Sequence, residues 1–214
     1  MQPSLSESYH RVLEDHGVHD CCVVVAVSGG VDSITLLTLT KEVAASRRLR
    51  VVVAHAHHGL RGVSADDDER FVVGFADEAG VECVTEHLDV RAYAAEHGTG
   101  IEAAARTLRY AFLERVADAL DARFILIGHT ADDVAETLLM NLGRGSGLDG
   151  LVSHRLSRQL GAHEILRPLL HTRRDEIEEF ARVHDLRWRE DDTNAELHFL
   201  RNQIRAMIMP SMRE

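Results

Sequence analysis

The residues best suited to chemistry sit in one short turn, Ser28-Gly29-Gly30-Val31-Asp32-Ser33, between an apolar run ending at Val27 and apolar residues resuming at Ile34. Glycines at 29 and 30 allow a tight turn and a close backbone approach to an anion, while the Ser28 and Ser33 hydroxyls and open helix amides can donate to its oxygens. The chemistry this suits is phosphate binding. The turn carries neither the GxxxxGKS/T pattern nor GxGxxG, so it is neither a Walker loop nor a dinucleotide fingerprint. Two glycines alone could serve only to turn the chain. Asp32 argues for more, because a carboxylate among phosphate oxygens repels them unless a divalent cation lies between; Mg²⁺ bridging to a polyphosphate is the expected arrangement.

Further functional groups lie elsewhere. Arg106 and Arg109, three apart on a helix, share a face; one of them could meet charge developing on a transferred phosphoryl group, or they could pair with Glu102 or Glu114. In the run from Gly128 to Glu136 the glycine ends a strand, which puts His129, Asp132 and Asp133 at a crevice edge and Glu136 one turn beyond Asp133. Such carboxylates suit cation ligation or general-base work, and equally an ordinary helix cap. The run His55-Ala56-His57-His58-Gly59 invites a metal reading, but His57 and His58 are neighbours on an extended strand and are expected to point apart. Near the end, Arg201 and Arg205 are four apart on an expected helix, anchored by an Ile204 and Ile208 stripe; pairing with Asp191 or Asp192 is the alternative.

The elements that must hold these groups follow from periodicity. Short β-branched runs at 21–27, 50–56, 81–90 and 122–128 alternate with helical patterns near 31–46, 66–80, 101–121 and 131–142. That alternation predicts an α/β fold, a doubly wound and mostly parallel sheet with flanking helices and its ligand at the carboxyl ends of the strands. Ser64 is the expected cap of the second helix, with Asp66, Asp67, Asp68 and Glu69 as a solvated acidic first turn. After residue 143 come a glycine-rich loop, a short strand or turn at 164–170, an amphipathic helix opened by Thr172 and a tail helix interrupted at Pro210. Residues 152–214 are expected as a smaller helical extension of one 1–214 domain.

Composition limits the function classes. The chain has 214 residues, 45% of them hydrophobic, which is enough for a substantial core. A net charge of −11 excludes bulk attraction to nucleic acid, so any RNA contact must be local. Lys41 is the only lysine, so the positive sites are guanidiniums, which grip phosphates bidentately. Cys21, Cys22 and Cys83 form no CxxC pair and read as inert core thiols of a reducing compartment. No run of 18 apolar residues and no basic-then-apolar start occurs, so a soluble, cytoplasmic protein without a membrane partner is expected.

The turn SGGVDS resembles the signature of the PP-loop ATP pyrophosphatases, which split ATP between its α and β phosphates. The stretches AHAHHGLRG (54–62), GIEAAARTLRYAFL (100–113), GHTADDVAETLLMNLGRGSGLDGL (128–151) and RNQIR (201–205), in that order, resemble the tRNA(Ile)-lysidine synthetase family over about residues 21–210. The resemblance implies ATP and Mg²⁺, tRNA(Ile) with a CAU anticodon and L-lysine as partners, with a homodimer left open. It implies nucleotide binding by Ala26, Ser28, Gly29, Gly30, Val31, Asp32, Ser33, His57 and Gly128, the histidine segment packing against adenine and ribose. Asp32 and Asp133 would hold Mg²⁺; Arg109 with Arg201 or Arg205 would meet charge at the α-phosphate; His129 and Glu136 would position the base or the lysine. This chain has Thr130 where the family commonly has histidine, and Val134 where it has glutamine. Many members continue into tRNA-holding domains, so weak tRNA binding is expected of this span. A tRNA 2-thiocytidine synthetase and a non-enzymatic ATP sensor remain as alternatives; the first needs a sulfur-carrying cysteine pair.

Overall fold

The computed structural model describes residues 4–60, 62–145, 154–190 and 203–209. Its centre is a six-stranded sheet in the order β3-β2-β1-β4-β6-β5. β1 (Cys22–Ala26), β2 (Arg50–His57), β3 (Glu82–His87), β4 (Phe124–Ile127) and β6 (His163–Leu166) run parallel, and β5 (Ser157–Leu160) is antiparallel to β6. The helices are α1 (Leu5–Asp15), α2 (Val31–Ala44), α3 (Val63–Glu78), α4 (Val90–His97), α5 (Ile101–Ala119), α6 (Ala131–Gly143) and α7 (Arg174–Val183), followed by a π-helical turn at Ile204–Ile208. Among the described residues no helix is long and apolar enough to cross a membrane.

β1 and β4, at the centre of the sheet, are apolar on both faces because both faces are covered. Val23 and Val25 of β1 enter one core with Leu13, Ile34, Val72 and Ile177, whereas Val24 enters the other with Val90, Phe112 and Leu113. β4 divides the same way, Phe124 and Leu126 to the first layer and Ile125 to the second. The chain steps outward from β1 to β2 and β3, then returns through α4 and α5 to β4 on the other side of β1. Loops leaving β1 and β4 therefore diverge and open a crevice at their carboxyl ends. The doubly wound, mostly parallel sheet expected from the sequence is present.

Several local expectations are corrected. α3 begins at Val63 with Gly62 as its cap, one residue before Ser64 could serve. Its acidic run is not simply solvated: Asp66 bonds His57, Asp67 pairs with Arg70, and Asp68 is buried. α7 is capped at Arg173, whose amide donates to Glu176 Oε2 at 2.8 Å, rather than opened by Thr172. The strand drawn over 81–90 is β3 alone, because Asp89 caps the short helix α4 through Ala92 N at 3.0 Å. Residues 157–166, inside the expected helical extension, supply β5 and β6 to the same sheet. Near the end, Met209 N donates to Ile204 O, five residues back, so Ile204 and Met209 are buried while Ile208 is 44% exposed. A π turn brings position 209, not 208, back over 204. Most of the glycine-rich loop, from residue 146 on, lies outside the described residues, as do Arg201 and the side chain of Arg205.

Candidate active site

The turn after β1 is held by its own serine. Ser33 Oγ accepts from the amides of Ser28 and Gly29, both at 3.2 Å, and donates to Gly30 O at 2.9 Å. In this arrangement the one hydroxyl hydrogen of Ser33 shapes the loop. Gly29 has φ +97°, so the backbone conformation there takes glycine, although a Cβ would meet only ordinary contacts, the nearest Val72 Cγ2 at 3.4 Å. Gly30 caps α2 with no side-chain bond, which leaves amides of the first turn to be met by a ligand.

Around this turn lies a cavity of about 610 Å³ that gathers groups from five parts of the chain, α3 among them through Ala65 and Asp68. Ala26, Ser28, Gly30, Asp32 and Ser33 come from the β1–α2 turn, His57 from β2, Arg109 from α5, and Gly128, His129 and Asp133 from the start of α6. Gly29 and Val31 are not among its lining residues, and neither is Glu136, which is 1% exposed on α6 one turn past Asp133. Of the two neighbouring aspartates only Asp133 lines the cavity. Asp132 is buried and accepts from Arg174 N at 2.7 Å, tying α7 to α6. Asp133 also closes a capping box: its Oδ2 accepts from Thr130 N at 2.9 Å while Thr130 Oγ1 accepts from Asp133 N at 3.3 Å. Threonine at 130 thus serves as the helix cap. Two hard carboxylates, Asp32 and Asp133, lining one cavity form a donor set that suits Mg²⁺.

The histidines differ in kind. His58 lines the cavity as His57 does, just past the end of β2. His57 stacks on His87, ring centroids 4.0 Å apart, and its Nε2 meets Asp66 Oδ1 at 3.0 Å. His55 Nδ1 donates to Val27 O at 2.8 Å, so it props the residue that starts the phosphate turn; burial pushes its basicity down. At His129 the ring nitrogen Nδ1 lies 2.9 Å from Arg167 Nε, which can only donate. Nδ1 therefore carries the lone pair and Nε2 the hydrogen. Burial, then the charges of His154, Arg167, Arg109 and Arg106, push the His129 pKa down to about 2. His129 is a fixed neutral donor, not a base.

Three residues near this site escaped the sequence reading. Arg174 Nη1 stands 3.7 Å from Asp32 Oδ2, an ion-pair contact across 142 positions. Arg167, 2% exposed, orients His129 and is itself held by its Nη1 donating to Arg155 O at 2.8 Å. Arg189 lies across the turn, its amide donating to Gly29 O at 2.9 Å and its Nε to the cavity-lining Asp68 at 3.1 Å. No local pattern marks these arginines; only the high arginine share hinted that guanidiniums carry the positive sites. All three cysteines are half-buried and none lines the cavity; burial pushes the Cys83 thiol up to about 11.

A family profile described as a PP-loop domain matches residues 1–212. Among curated proteins, the tRNA(Ile)-lysidine synthase of Bacillus cereus strain ATCC 14579 is 36% identical over 216 residues, covering 100% of this chain and 45% of that protein. That of Geobacter sulfurreducens is 43% identical over 189 residues, covering 88% of this chain and 39% of that protein. The chain thus spans less than half the length of these relatives. Among solved structures, the U34-tRNA thiolase NcsA from Methanococcus maripaludis superposes with a TM-score of 0.77 at 20% identity, over 98% of this chain and 72% of that one. The NH3-dependent NAD synthetase from Campylobacter jejuni gives 0.59 at 14% identity, over 98% and 84%. At those identities the likeness is one of fold.

Proposed function

This chain belongs to the PP-loop domain family, and on that premise we propose that it carries the ATP-dependent step of lysidine formation on tRNA(Ile) with a CAU anticodon. The observation that supports this reading best is the single cavity in which the phosphate turn, Arg109, His129 and Asp133 converge. The curated relatives named above share its chain-long similarity.

In the first step the C2 oxygen of the wobble cytidine attacks the α-phosphorus of ATP; the bond to the β-phosphate oxygen breaks and pyrophosphate leaves. In the second, the ε-amine of lysine attacks C2, the C2–O bond breaks with AMP leaving, and the nitrogen sheds its proton. Mg²⁺ held by Asp32 and Asp133 would screen charge between the phosphates. The α2 amides and Ser28 hold phosphate oxygens, and Arg109 meets the charge that develops as the α-phosphate is attacked. His129 offers its Nε2 hydrogen to the reacting oxygen or to the base without taking a proton from either. Glu136, buried behind Asp133, would act on lysine only through the helix that carries both. Arg201 and Arg205 are proposed to complete the site from the tail.

Thiolation in the manner of the structurally similar U34-tRNA thiolase is disfavoured because no cysteine of this chain lines the cavity. The deciding experiment measures pyrophosphate and AMP with ATP alone, then with the tRNA, then with lysine added. RNA-dependent pyrophosphate release, followed by lysine-dependent AMP release, is expected. Pyrophosphate release that ignores RNA, or none under any condition, would refute the assignment.

A further inference from the structure

One aromatic ring collects three positive charges. The guanidinium carbons of Arg106, Arg109 and Arg158 lie 5.1, 5.6 and 4.5 Å from the centroid of the Tyr110 ring, which is 7% exposed. Several other arginines of this acidic chain are neutralised locally, as at Arg48–Asp20, Arg50–Glu82, Arg115–Glu86 and Arg187–Glu78. At Arg106 and Arg158 no ion pair is found among the described residues. Like charges gathered on one ring repel; the π face offsets part of that repulsion, and an anion would offset the rest.

Neighbouring groups register the excess. Burial pushes the Tyr110 hydroxyl up, yet Arg106, Arg109 and Arg167 outweigh it and the net shift is downward. Arg167 is pushed down by burial and by Arg158 and Arg106. Beside the larger effect of burial, the charge contributions at both groups point to one region of positive potential.

The cluster extends from the lining of the cavity to residues outside it. Arg109 lines the cavity, whereas Arg106, exposed one turn earlier on α5, and Arg158 on β5 do not. A nucleoside triphosphate seated on the turn after β1 keeps its phosphates at α2, inside. The ligand that places one group in the cavity and an anion outside it is a nucleotide within a polymer, inserted base first with its phosphodiester at the rim. We propose that Arg106 and Arg158, mounted on Tyr110, are the dock for a backbone phosphate of the RNA that presents the reacting base. This rests on the tRNA reading above.

The test uses the whole chain, a fluorescent stem-loop RNA with a CAU loop, and the variants Arg106→Gln, Arg158→Gln and the double. RNA affinity is measured between about 50 and 200 mM salt, ATP affinity by titration, and folding by thermal melting. The double variant is expected to bind RNA about tenfold more weakly and to flatten the salt slope by about 0.7 to 1 per arginine, with ATP affinity within about twofold of wild type. Unchanged RNA affinity and slope would overturn the dock, as would weakened ATP binding with RNA binding intact, which would give the arginines to the triphosphate. Failure of the function reading is separable: the dock can hold while RNA fails to trigger pyrophosphate release, and absence of salt-dependent RNA binding by the wild-type chain defeats the dock itself.

Discussion

Replacing Gly128 by alanine tests the close approach, at the base of the crevice, of the turns that leave β4 and β1 before they diverge. A Cβ at 128 would lie 3.1 Å from the carbonyl oxygen of Asp32, 3.2 Å from its carbonyl carbon and 3.4 Å from Ser33 Cα. All three are backbone atoms in the first turn of α2, so no side chain can swing away and the turn must move by a few tenths of an ångström. Overpacking of this kind costs about 1–3 kcal/mol, while reduced freedom of the unfolded chain returns about 0.4–1 kcal/mol, since Gly128 is not in the left-handed region. The net destabilisation is about 0–2.5 kcal/mol, which lowers the melting temperature of a chain this size by up to about 10 °C. The functional cost is larger, because the displaced turn carries Asp32 into the cavity. A shift of a few tenths of an ångström at a positioned group costs on the order of tenfold, given that about 1 Å costs a hundredfold. Gly74 in α3 is the control, for a Cβ there meets nothing within 4 Å. Gly74→Ala is expected to stabilise by about 0.5–1 kcal/mol and leave ATP binding alone. Melting curves and ATP titrations on both variants decide the matter. If Gly128→Ala melts higher, as Gly74→Ala should, and binds ATP like wild type, the contact between the loops is not what this reasoning takes it to be.

Other expectations are as direct. Asp32→Ala should destabilise by about 1 kcal/mol or less, through loss of its contact with Arg174 and of a carboxylate at the start of α2, and abolish pyrophosphate release; wild-type turnover would remove Asp32 from the metal and phosphate chemistry. Because burial and the nearby guanidiniums lower the folded-state pKa of His129 to about 2, the unfolded chain binds the extra proton first as pH falls. His129 and His55 therefore contribute stability that is complete above about pH 6.5 and lost below it, and nitrogen NMR should keep His129 in the Nε2-protonated form at neutral pH. Arg167→Met should release that tautomer and raise the His129 pKa; an unaltered His129 spectrum would mean Arg167 does not orient it. Arg201→Ala or Arg205→Ala is expected to slow adenylation about a hundredfold in single turnover while ATP affinity changes less than about fivefold, and an unaltered rate would reduce the tail to packing.

The strands and the phosphate turn were legible because their signals are local. Unbroken apolar runs such as Val23-Val24-Val25 and Phe124-Ile125-Leu126 state that both faces of a strand will be covered, and the two-glycine turn with its serines and aspartate states what it can hold. The helix starting at Ala131 was legible for the same reason. α4 was not, since eight residues closed by Gly98 at φ +62° carry too short a period to separate from the strand before them. The π turn at Ile204–Ile208 was read as an α-helix because the choice between fourth and fifth residue is made by what the turn packs on, here α6.

What the amino-acid order determined alone is the chemistry available: a phosphate cradle, carboxylates for a hard cation, and guanidiniums as nearly the whole positive inventory. Which of those groups meet was decided by the tertiary structure. Arg174 reaches Asp32 from 142 positions away, Arg189 reaches Asp68 from 121, and Arg167 sets the tautomer of His129 from 38. Asp132 and Asp133 are adjacent and chemically identical, yet one is buried as a tie to α7 and the other lines the cavity. The physical reason is range. Backbone preference and hydrophobic period act over a few residues and select elements, whereas burial and charge act through space, and the partners they require are supplied only when β1 and β4 are brought side by side and the loops that leave them part.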